Sequence, residues 1–136
     1  MKEALATIAE LSAQRNNSRI LAADKMNEDI REITKSLIDS QIEGPVYHWE
    51  SIPIKDEYGQ EISSISVGLC WNGEKILHCF DPDGDPTIDW ASDGRPLLGE
   101  SIDIRLSMRK ALDLLLDNVM DKLNKDISDY EGNYEN

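Results

Sequence analysis

Residues 62–81 read ISSISVGLCWNGEKILHCFD, and this stretch decides the fold. Two alternating apolar runs flank Asn72-Gly73, the pair favoured at the centre of a two-residue type I′ hairpin. The pattern predicts two antiparallel strands in which Leu69 faces Ile76, Val67 faces His78 and Ile65 faces Phe80, all on the core face of a sheet. In that register Cys70 lies opposite Lys75 and Cys79 opposite Ser66, so the thiols stand roughly 13 Å apart along the strands. Bridged Cα atoms lie within about 7 Å, and both cysteines are therefore expected to be free, small, buried residues.

Working outward toward the amino terminus, Tyr47 and Trp49 alternate in one phase and Ile52 and Ile54 in the other. A further strand over Val46 to Ile54 with a bulge near Glu50-Ser51 reconciles them. Pro53 cannot donate a ladder hydrogen bond and suits an edge strand. Leu5, Ile8, Ala9 and Leu11 recur at helical spacing from Lys2 to about Ala13, and Gln14 to Ser18 interrupts the pattern. A second helix is expected after a cap at Asn17 or Ser18. Its seam is Ala23, Met26, Ile30, Ile33 and Leu37, and Gly44-Pro45 ends it. The seam is expected to pack within the chain; its alternative is pairing with the same helix of a second copy, which makes a homodimer.

Toward the carboxyl terminus, Met108, Leu112, Leu115, Val119, Met120 and Leu123 mark an amphipathic helix that runs to about Ile127. Residues 101–107 are ambiguous. Ile102, Ile104 and Leu106 alternate as a strand would, with Ser107 capping the helix after them, or else Ser101 caps a longer helix. The expected class is α+β: an N-terminal helical pair, an antiparallel sheet of three or four strands, and a C-terminal amphipathic helix packed on the sheet. Residues 1–128 make one domain and 129–136 a flexible acidic tail.

The chain has 136 residues, 40% of them hydrophobic and 30% charged, with a net charge of -13. These values suit a domain that folds without disulfides or metals. No apolar run approaches the roughly 20 residues of a membrane span. The opening Met1-Lys2-Glu3-Ala4-Leu5 does not fit a secretory leader, so a cytoplasmic location is expected. The charge is uneven: residues 81–103 set seven acids against Arg95, and residues 126–136 carry four acids and no base. Such a field repels nucleic acid and anionic membranes and attracts basic protein surfaces.

There is no phosphate-binding glycine loop, nucleophile elbow or metalloprotease helix, so the chain is expected to be non-enzymatic and to use no cofactor. His78 lies among apolar neighbours as a hydrogen-bonded core residue would. A zinc site with the two cysteines would need its ring to point through the sheet. Asp81-Pro82-Asp83-Gly84-Asp85 begins like a calcium loop, but Pro86 and Ser92 stand where that loop needs Gly and Glu, so no metal is expected.

Two features remain. Asp81, Asp83, Asp85, Asp89 and Asp93 surround Trp90, a partner-binding surface in which one aromatic can anchor in a pocket. It leads to the principal functional expectation, an acidic binding protein that engages a basic or nucleic-acid-binding protein. The sharpest form is an inhibitor of the DNA-mimic or immunity type, which blocks the nucleic-acid-binding groove of a nuclease or DNA-binding protein. The alternative is a small-ligand module in which Arg95, Arg105 and Arg109, with Phe80, hold the phosphates and base of a nucleotide. Salt bridges to nearby aspartates compete for the same arginines.

Overall fold

The computed structural model describes residues 1–80 and 94–135. The class is α+β, with α1 (Lys2–Asp39), β1 (Val46–Lys55), β2 (Glu61–Trp71), β3 (His78–Phe80), β4 (Arg95–Pro96), a 3₁₀ turn (Leu97–Gly99), α2 (Ile102–Ser107) and α3 (Arg109–Glu135). Among the described residues the strands form one antiparallel sheet in the order β1-β2-β3-β4.

The expected helical pair is a single helix of 38 residues. Gln14 to Ser18 contains neither Gly nor Pro, and each of its residues costs only about 0.7 kcal/mol or less relative to Ala, so nothing forces the helix to stop. Asn17 and Ser18 lie inside it. Residues 1–22 are exposed except for half-buried Ser12, whereas Ala23, Met26, Ile30 and Leu37 are buried and Ile33 packs against them. The seam is thus core within the chain.

The helix stops in a Schellman motif. Ile42 N donates to Leu37 O at 3.0 Å and Gln41 N to Ile38 O at 2.9 Å, with Gln41 in the left-handed region at φ 55. Gln41 therefore takes the conformation expected of Gly44. Gly44 is needed for a different reason: a Cβ there would lie 2.2 Å from the Cα of Asn72. The α1–β1 connection rests directly on the chain that leaves β2.

That contact accompanies a longer loop in place of the two-residue turn. Type I′ requires positive φ at both central residues; Gly73 has φ 86, but Asn72 stays out of that region. Asn72 instead accepts a 3.1 Å hydrogen bond on its side chain from Glu74 N, an Asx turn. Residues 72–77 form the connection, and Leu69 pairs with Cys79, Cys70 with His78 and Gly68 with Phe80. The register differs by three from the expected one, and an odd slip turns every side chain of β3 to the other face. Val67, Leu69, Trp71 and Cys79 join Val46 in the core that the helices cover. His78 and Phe80 share the opposite face with Cys70. Both cysteines are free and buried as expected, but on opposite faces.

In β1 the pairing runs unbroken from Val46 to Ile54, and the irregularity falls at Ile54/Lys55 rather than at Glu50-Ser51. Pro53 lies on an edge strand, as its missing N–H requires. At the other end, Ser101 Oγ accepts from Ile104 N at 3.3 Å and caps α2, so residues 102–107 are helix. The hydrogen-bond ladder continues across Met108, from Met108 N to Ile104 O and from Leu112 N to Met108 O. Met108, Leu112, Leu115 and Val119 are buried, each worth about 1.5–3 kcal/mol of apolar burial. Asn118 Nδ2 donates to Tyr47 O at 2.8 Å, fastening α3 to the edge strand. Residues 129–135, expected as a tail, continue α3 as helix.

Candidate functional site

The acidic segment with Asp81, Asp83, Asp85, Asp89, Trp90 and Asp93 lies outside the described residues, as does the calcium-like start at Asp81 to Asp85. The strands that flank it are described. β3 and β4 pair antiparallel through His78–Pro96 and Cys79–Arg95. A Cβ on Gly94 would meet the ring of Phe80 at 2.7 Å, so the described residues on either side of the segment lie close together.

The three arginines of the nucleotide alternative have separate surroundings. Arg95 donates to Glu100. Arg105 donates to Asn27 on α1, and its Nε is buried with no hydrogen-bond partner. Arg109 lies 3.4 Å from Asp29 and 3.1 Å from Asp113. The α2–α3 junction thus brings Arg105 and Arg109 together against α1, while Arg95 belongs to the far edge of the sheet. Arg109 borders a cavity of about 330 Å³ with Met26 and Leu106; Phe80 is buried in the sheet.

Among the titratable groups, His48 Nε2 sits 3.4 Å from Glu50 Oε2 on β1. His78 is buried as expected, but its Nδ1 has no hydrogen-bond partner, and its Nε2 is 3.9 Å from Glu74, beyond hydrogen-bonding range. Burial pushes the Cys70 thiol up to about 11, because a thiolate loses its hydration there. Such a thiol is a poor nucleophile at neutral pH. Among the described residues, no group of three His, Cys, Asp or Glu side chains is placed to hold a metal ion, and no helix is long and apolar enough to cross a membrane.

The described surface adds two charged features that the sequence pattern did not single out. Asp24, Glu28 and Glu32 are exposed along α1, and Asp117 and Asp121 along α3; none of the five has an ion-pair partner among the described residues. Their spacing of four residues is visible in the sequence and puts each set on one helical row. By contrast, Arg31 and Lys35 on α1 meet Lys75 of the β2–β3 loop only through the fold. Comparison with protein-family models, curated proteins and solved structures finds no match in any of the three.

Proposed function

We propose that this chain is a non-enzymatic acidic binding protein that engages a basic protein partner. In its sharpest form it is an inhibitor that occupies the nucleic-acid-binding groove of a nuclease or DNA-binding protein. The observation that carries this reading is the row of exposed, unpaired carboxylates Asp24, Glu28 and Glu32 on one continuous helix. A row at four-residue spacing repeats about every 6 Å along the axis. It presents negative charge in a line, as a nucleic-acid backbone does, although less densely than one phosphate per 3.4 Å of strand. The five aspartates of residues 81–93 add charge of the same sign.

The nucleotide alternative needs arginines that are occupied: Arg95 by Glu100, Arg105 by Asn27, and Arg109 by Asp29 and Asp113. A nucleotide phosphate would have to displace these contacts before it gained its own.

The test is capture of basic proteins from a native lysate by the tagged full chain, at low and high salt, with nuclease treatment. A captured DNA-handling protein should be released by added duplex DNA, and its affinity should fall steeply as salt rises. Replacing Asp24, Glu28 and Glu32 by their amides should weaken capture at least tenfold. Binding that is undiminished at high salt and indifferent to the three substitutions overturns the proposal.

A further inference from the structure

The exposed large apolar side chains of the described surface are not scattered. Met1 stands at the start of the chain, Leu5, Ile8, Leu11, Ile20 and Leu21 lie on the first part of α1, and Met120, Leu123, Ile127 and Tyr130 on the last part of α3. Tyr47, Tyr58 and Ile62 belong to β1, β2 and their turn. The remaining three, Ile38, Ile76 and Leu98, come from α1, the β2–β3 loop and the 3₁₀ turn, and they border one cavity of about 280 Å³. Buried Ile30 and Leu77 line it as well. A cavity walled by aliphatic side chains from three separate segments is a place for an apolar body.

The charges around it have one sign. Arg31, Lys35 and Lys75 line the same cavity, and no carboxylate does among the described residues. All three cations are exposed and have no ion-pair partner among the described residues. Glu28 and Glu32 are three residues before Arg31 and Lys35 on the helix, the spacing of a potential pair, yet neither pairs with them. The chain as a whole has 27 acidic side chains to 14 Lys and Arg. Three cations with no ion-pair partner among the described residues, at the rim of an apolar cavity, therefore depart from the general composition. Arg31 and Lys35, four residues apart, also repel each other, a cost that an anion between them would relieve.

We infer that this cavity binds a small amphiphilic anion, an organic carboxylate whose apolar body enters between Ile38, Ile76 and Leu98 while its head lies among Arg31, Lys35 and Lys75. The cavity's volume of about 280 Å³ is that of roughly nine waters in the liquid, room for an aliphatic body of about six to eight carbons. The inference does not rest on the acidic-partner proposal: it uses the cations of α1 and the cavity they line, not the neighbouring carboxylates, and its test reads a small-molecule probe rather than a captured protein.

The experiment uses the full chain, with octanoate as the probe and octanol and octylammonium as controls, each below its aggregation concentration. Calorimetry should give saturable binding of octanoate, at least tenfold tighter than octanol, with no binding of octylammonium. Isoleucine methyl NMR signals of Ile30, Ile38 and Ile76 should shift. The variant Arg31→Gln/Lys35→Gln/Lys75→Gln changes only exposed side chains; it should keep the melting temperature and lose octanoate affinity at least tenfold. Absence of saturable octanoate binding overturns the inference. So does equal binding of octanoate and octanol to both proteins, which would leave an apolar crevice with no anion preference. Methyl shifts confined to residues elsewhere overturn it too.

Discussion

The indole nitrogen of Trp71 donates a 2.8 Å hydrogen bond to the carbonyl of Ile42, inside the protein. It joins the end of β2 to the residue that closes the Schellman motif of α1, 29 positions earlier in the chain. Trp71→Phe keeps most of the apolar contact but leaves the Ile42 carbonyl unsatisfied and a void beside it. The expected loss is about 2–3 kcal/mol, read by urea denaturation. A loss below about 1 kcal/mol would mean that this bond does not hold the two segments together.

Gln41 sits at φ 55 in the C′ position of that motif. A residue with a Cβ is disfavoured there by about 1–2 kcal/mol, and glycine recovers part of this after its own greater unfolded-state entropy. Gln41→Gly should stabilise the protein by roughly 0.5–1 kcal/mol. A destabilised variant would assign the Gln41 side chain a contact of its own.

Two other glycines are sites of close approach. A Cβ on Gly68 would meet the Trp49 ring at 2.6 Å, and one on Gly44 would meet backbone atoms of Asn72 at 2.2 and 2.4 Å. A side chain can turn aside more easily than a backbone can. Gly68→Ala should therefore cost about 1–3 kcal/mol, and Gly44→Ala more. In a double-mutant cycle, Trp49→Leu should recover part of the Gly68→Ala loss and none of the loss from Gly44→Ala.

These positions also show what the sequence made legible. The alternation over residues 62–81 correctly marks two antiparallel strands, because a half-buried strand must alternate. The register depended on whether Asn72 would adopt positive φ, and the contact that accompanies its refusal comes from Gly44, outside any local window. The order of strands and helices was readable, and the faces of β3 were not. Likewise Gln14 to Ser18 lowers helix propensity without forbidding the helix, so periodicity alone divided what the backbone keeps whole. For the candidate sites, the carboxylate row on α1 follows from spacing, whereas Lys75 reaches Arg31 and Lys35 only once the β2–β3 loop has folded against α1.

Cys70 gives a prediction in pH. Its thiol, held at about 11 by burial, is ionised in about one molecule in a thousand at pH 8, so the native protein should react with a disulfide reagent only as fast as it opens. The folded state prefers the neutral thiol. Its stabilising contribution is whole below the ordinary thiol value of about 9, and it declines as pH rises from there through about 11. Urea titrations over that range should show stability falling, with a shallower fall in Cys70→Ala. Rapid stoichiometric labelling of Cys70 in the native protein at pH 8 would contradict its burial.

The exposed first part of α1 predicts a separable segment. Residues 1–17 make no buried contact, with only Ser12 half-covered, and the Arg19–Asp103 pair beyond them is on the surface. Removing residues 2–17 should change the unfolding free energy by less than about 1 kcal/mol. In the intact chain, amides before Arg19 should exchange with solvent far faster than those from Met26 to Leu37.

A helix of 38 residues is about 57 Å long, whereas a globule of this chain length has a radius of gyration of only about 14 Å. The molecule should therefore tumble anisotropically and experience more friction than a sphere of its mass. Eluted from a sizing column or judged by NMR relaxation, a lone chain will resemble something heavier. Absolute mass from light scattering, rather than hydrodynamic radius, is the quantity that separates an elongated monomer from a pair of chains joined through their helices.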